Sequence, residues 1–149
     1  MARTAIATAA ALLCLVAAGG AVARTVVTEI VAGDTLTIQT DDNTHQGALL
    51  LNGQPLIQNP GGAVGIDGIF ATPARTYVLA DLGEDASCYR YQIVTLTGQQ
   101  GAVSPAFGNC QYAAGNLDKG VLHIRLRPAM TLPKRTGEET HSFDGQSLR

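Results

Sequence analysis

The sequence predicts an all-β domain, an antiparallel β-sandwich of about 7–9 short strands, with a small closed barrel as the alternative. Past residue 24, no segment longer than about ten residues keeps a 3.6-residue apolar period. Runs rich in β-branched and aromatic residues recur at 25–31, 35–39, 75–82, 88–97 and 121–127, a composition that suits a pleated, half-buried surface. Gly, Pro, Asn and Asp separate these runs, and the chain holds 17 glycines, residues that set turns.

The amino terminus departs from this texture. MARTAIATAAALLCLVAAGGAVA carries one early charge, Arg3, then an apolar run from Ala5 to Ala18, then Gly19-Gly20 and the small-x-small end Ala21-Val22-Ala23. That order is the pattern of a secretory signal peptide, and its apolar core is shorter than the roughly 20 residues a bilayer crossing needs. Cleavage after Ala23 is expected, leaving Arg24 to Arg149 as one β domain of 126 residues, enough to bury a core without a metal. Cys14 follows Leu13 rather than a small residue, which argues against lipidation. A periplasmic or secreted location is expected, with no membrane attachment once the signal is removed.

The strand assignments follow in chain order. TVVTEIV (25–31) and TLTIQ (35–39) flank Gly33-Asp34, read as a tight turn. DDNTHQ (41–46) is a polar loop. In GALLLNGQPLIQ (47–58), Asn52-Gly53 between apolar runs signals a hairpin, because both turn positions need positive φ. Leu49 and Leu51 should share one face, and Pro55 places the return arm at a sheet edge. NPGGAVG (59–65) reads as a loop, and IDGIFA (66–71) as a short strand broken at Asp67-Gly68. RTYVLADL (75–82) and CYRYQIVTLT (88–97) are the clearest strands. In the second, the apolar pattern changes face near Ile93, through a bulge or through burial on both faces. Residues 98–120 are irregular and glycine-rich, with room for a short strand near Phe107 or Gln111. VLHIRLR (121–127) alternates, Leu122, Ile124 and Leu126 inward. A long connection follows, and Asp144-Gly145 forms a second hairpin turn.

Removing Cys14 with the signal leaves Cys88 and Cys110. In an exported domain two cysteines most simply form one disulfide. Their spacing is not that of a redox motif, and two thiolates lack the further ligands a zinc site needs. Charge is uneven: residues 24–118 hold three basic and nine acidic residues, and residues 119–149 hold six basic and three acidic. This is too weak a balance for a nucleic-acid binder. The cations form a candidate binding face, with His123, Arg125 and Arg127 alternating on one strand and Lys134-Arg135 following. Arginine forks suit an acidic ligand or partner. The competing reading is a solvated strand face paired with Glu138 or Glu139.

No catalytic motif is visible. None of the serines sits in Gly-x-Ser-x-Gly, and His45, His123 and His141 lie in different settings. DDNTH (41–45) begins like a calcium loop but has Gln46 where the turn glycine belongs. Asp81, Glu84 and Asp85 read as a wet turn. No metal and no cofactor is expected. Tyr89 and Tyr91 share a strand face, with Tyr77 on a neighbouring strand. Such tyrosines serve as a carbohydrate or peptide platform, or as plain sheet-face pairs. The function expected is an exported, non-catalytic binding or accessory module that docks on another exported protein or a small ligand. The alternative is a small exported hydrolase built from dispersed residues such as His45, His123, Asp67 and Asp81.

Overall fold

The structure is a computed structural model that describes residues 23–85, 88–108, 110–128 and 138–149. The expected signal peptide falls, but for Ala23, outside the described residues, as do Lys134 and Arg135. Eleven strands are present among the described residues: β1 (Ala23–Val31), β2 (Asp34–Asp41), β3 (Gly47–Leu51), β4 (Gln54–Asn59), β5 (Val64–Ala71), β6 (Thr76–Asp85), β7 (Cys88–Thr97), β8 (Gln100–Val103), β9 (Gln111–Asp118), β10 (Val121–Pro128) and β11 (Glu139–Phe143). Among the described residues no helix accompanies them. The count exceeds the expected range because the glycine-rich stretch read as irregular holds both β8 and β9.

The strands form three antiparallel sheets, each a simple meander. Sheet I is β1-β2-β3-β4, sheet II is β5-β6-β7-β8, and sheet III is β11-β10-β9. Every hydrogen-bonded neighbour is also a neighbour in sequence. The sandwich is therefore layered, with sheet II in the middle and no closed barrel. One face of sheet II packs Val78, Ala80, Val94 and Leu96 against Leu36, Ile38, Leu49, Leu51 and Ile57 of sheet I. The other packs Tyr77, Leu79, Tyr91 and Ile93 against Leu122, Ile124, Leu126 and Phe143 of sheet III.

This sandwiching explains the change of face near Ile93. β6 and β7 pair in continuous register from Thr76↔Leu96 to Gly83↔Tyr89, and the irregularity lies at Gly83/Asp85 instead. Ile93, Val94 and Leu96 are all buried because a central strand has a core on each side. Each such aliphatic side chain contributes about 1.5–3 kcal/mol relative to exposure.

The turns follow their residue chemistry. Asn52 and Gly53 both take positive φ, 51° and 82°, and join β3 to β4. Asn52 also ties down the neighbouring turn, its Nδ2 donating to Asp34 Oδ1 at 2.8 Å. The first turn lies one residue earlier than expected, with Ala32 and Gly33 at φ 53° and 88° and Asp34 already in β2. β4, which carries Pro55, is an edge strand of sheet I. Lys119-Gly120, at φ 48° and 81°, turns β9 into β10. Asp144 caps the last turn, its Oδ1 accepting from the amides of Gln146 and Ser147.

Close approach between layers relies on two glycines around one ring. Phe70 lies against Gly115 of β9 and Gly68 of β5, and a Cβ at either glycine would collide with its ring. Bare backbone there lets β9 settle onto β5. The Cys88–Cys110 disulfide is formed, across 22 residues, and ties the start of β7 to the segment entering β9. Sheets II and III are thus joined covalently at one end of their interface.

Candidate functional site

Beside that disulfide, the interface between sheets II and III opens into a cleft of about 330 Å³ lined by Asp67, Asp81, Tyr89, Tyr91 and Tyr112. Each lining residue is placed by its strand. Asp81 and Tyr91 are directly opposite on β6 and β7, so they share the face toward sheet III. Asp67 sits in the β5 irregularity between Ile66 and Gly68, which turns its carboxylate toward Asp81. The same register sets Gly65 opposite Asp81, and the Asp81 carboxylate occupies the space a Cβ at residue 65 would need. Glycine at that position is what lets the acid lie flat on the sheet.

Tyr91 forms the floor. It is 1% exposed, and its hydroxyl donates to the Gln111 carbonyl at 2.8 Å and accepts from the Ala113 amide at 3.1 Å. Both hydrogen-bonding directions of this phenol are thus committed to β9. Burial, with smaller contributions from Asp67, Asp81 and Tyr89, pushes its pKa up to about 12. Tyr89 and Tyr112 form the wall, ring centroids 5.9 Å apart. Tyr112 lies on β9, an edge strand of sheet III, and is 52% exposed although its ring meets that of Tyr89.

The carboxylates are the unusual feature. Burial, with a smaller contribution from the adjacent Asp67 charge, raises Asp81 to about 6. Asp67 is also raised, by burial. No cation among the described residues forms an ion pair with either acid. Asp81 is half-buried and Asp67 exposed beside it, and such a carboxylate pair, without a countercharge among the described residues, is a perturbed arrangement of the kind found at functional sites.

The expected cationic face lies elsewhere. His123, Arg125 and Arg127 point away from the core on β10, the middle strand of sheet III. Arg125 is engaged with Glu138 by a charged hydrogen bond, and Arg127 also contributes to holding the Glu138 pKa down. His123 Nδ1 meets Ser142 Oγ at 3.1 Å. The strand-face pairing with Glu138 is thus present.

The dispersed hydrolytic set comes together only in part. Asp67 and Asp81 share the cleft, whereas His45 lies in the β2–β3 loop of sheet I and His123 on the outer face of sheet III. Ser104 is a structural residue: its Oγ accepts from the Ile93 amide at 2.9 Å and donates to the Pro105 carbonyl. Asp41, from the calcium-like loop, accepts from the amides of Asn43 and Thr44. Those bonds lower its pKa and close a local turn.

Two other cavities are larger, and in each a central polar side chain is held by the protein backbone. In the one of about 420 Å³ beside the β2–β3 loop, Asn59 donates to the carbonyls of Ala63 and Gly83. In the one of about 610 Å³ near the β5–β6 turn, Arg75 donates to the Asp144 carbonyl at 3.3 Å. The raised pair of carboxylates beside aromatic rings, rather than volume, singles out the tyrosine cleft.

The sequence pointed to Asp67, Asp81, Tyr89 and Tyr91 separately, and missed Tyr112 and Gly65. The disulfide holds the missing signal for Tyr112. Once Cys88 pairs with Cys110, the tyrosines one residue beyond the first and two beyond the second must lie near each other. Compared with known proteins, the chain matches no family model, no curated protein and no solved structure.

Proposed function

We propose that the chain is an exported, non-catalytic binding module that engages a small ligand, or a side chain of another exported protein, through the Asp67–Asp81–tyrosine cleft. The observation that carries this reading is the lining itself. It offers recognition groups, aromatic rings and carboxylates, and it holds none of the histidine, serine or cysteine members of a triad-type nucleophile–base set. The Cys88–Cys110 bond fits an oxidising compartment, which supports export.

A thermal-shift panel of small metabolites against the protein and its Tyr112→Ala variant tests the reading. A ligand that raises Tm for the first, saturably, and not for the second is the expected result. Catalytic turnover of any panel compound would overturn it.

One observation favours a second reading. Asp81, held near 6 beside another acid, resembles the acid partner in glycoside-cleaving carboxylate pairs. A hydrolase of that kind would release reducing sugar from a glycan panel, and would lose this activity on either Asp67→Asn or Asp81→Asn.

A further inference from the structure

We infer that the cleft takes an organic cation, an alkylammonium or guanidinium group, seated between the Asp67 and Asp81 carboxylates and against the rings of Tyr89 and Tyr112. This rests on the binding reading above and narrows it to one class of ligand.

The argument is one of complementarity. The acids of the lining present acceptors, and the one buried phenol has both hydrogen-bonding directions satisfied within the protein. A group that satisfies both carboxylates must therefore bring donors. Two carboxylates also repel each other across the cleft, a cost that a neutral hydroxyl leaves in place and a positive charge removes. Anionic ligands are disfavoured by the same field. Aromatic rings beside the carboxylates attract cations through their negative faces, and an exposed ring such as Tyr112 can close on a ligand without disturbing the core. A divalent metal caged by protein side chains fits poorly, since no group of three or more acidic, histidine or cysteine ligands forms among the described residues. The volume, about 330 Å³, is at the lower end for a small-ligand site and admits a single alkylamine or guanidine. Asp67 from β5, Asp81 from β6, Tyr89 and Tyr91 from β7 and Tyr112 from β9 are the titratable groups that face the bound cation.

Calorimetric titration of the full mature chain tests the inference with four probes: agmatine, spermidine, N-acetyl-arginine amide and methyl β-glucoside. Agmatine or the arginine amide should bind at pH 7.5, and Asp81→Asn should weaken that binding about tenfold or more, the size expected when a charge partner is removed. Tyr112→Ala should weaken it severalfold. Binding should fade between pH 7 and pH 5 as Asp81, raised to about 6, takes up its proton. Binding by the free amines alone assigns the site to a small molecule, and binding by the arginine amide assigns it to a partner's side chain; both support the inference. Binding by the glucoside alone overturns the cation while leaving the binding module intact. Binding by no probe, or cation binding unchanged in Asp81→Asn, also overturns it. Circular dichroism of both variants establishes that they fold.

Discussion

At the scale of single residues, Asp81 shows how one glycine and one neighbouring acid set a property of the site. Gly65 opens the space, the acid lies down on the sheet, and burial plus Asp67 hold its proton up to about 6. The consequence for stability has a definite sign. An acid whose pKa is higher in the folded chain than in the unfolded one binds its proton more tightly when folded. Its stabilising contribution is full below the unfolded value, near 3.8, and is lost as pH rises through about 6. Asp81→Asn removes that loss. Differential scanning fluorimetry should therefore find the variant more stable than the parent at pH 7.5, and the two alike at pH 4. A variant less stable at pH 7.5 would show that Asp81 has a favourable partner when ionised. Gly65→Ala should displace the carboxylate and remove the same pH dependence, at a cost of about 1–3 kcal/mol for the forced backbone or side-chain shift.

At the scale of elements, β9 is where the sequence was least readable. QYAAGNLD has no β-branched residue, and its inward positions Ala113, Gly115 and Leu117 include two of the smallest side chains. Propensity discards such a segment, yet its smallness is what packing demands, because Phe70 needs the space over Gly115. β6, β7 and β10 were legible because their apolar residues alternate or run continuously. The β3–β4 hairpin was legible because Asn-Gly fixes its own backbone. The cleft was legible only as loose parts, since residues on β5, β6, β7 and β9 meet through register and layering that periodicity does not encode.

Two predictions belong to this scale. Gly115→Ala should destabilise by about 1–3 kcal/mol in urea unfolding, and Phe70→Leu in the same chain should restore part of the loss; a neutral Gly115→Ala would mean the layers can separate freely. Reduction of Cys88–Cys110 should lower stability by about 3 kcal/mol, the size expected for a loop of this length, read from the shift in urea midpoint between oxidised and reduced protein. It should also weaken ligand binding in the cleft, because Tyr89 and Tyr112 flank the bond.

At the scale of the whole molecule, the layering concentrates burial in sheet II. Tyr77, Val78, Leu79 and Ala80 run consecutively buried through β6, and Ile93 and Val94 do so in β7. β1 contrasts with them. It is the outer strand of sheet I, with Val27 38% and Ile30 69% exposed, and Glu29 among its exposed residues supplies charge of the kind that discourages edge-to-edge pairing. Amide hydrogen exchange should rank accordingly, slowest in β6 and β7 and fastest in β1. Equal protection across the three sheets would show that the layers open together.

The meander connectivity carries a kinetic consequence. Sheet I closes by residue 59, sheet II by 103 and sheet III by 143, with no strand waiting for a distant partner. Pairing within a sheet therefore requires only short-range loop closure, the regime in which β proteins avoid the slow searches of interleaved topologies. A polypeptide delivered amino terminus first could zip each ribbon as it emerged, leaving only the docking of preformed slabs, and the single sulfur crosslink between two of them, to finish assembly.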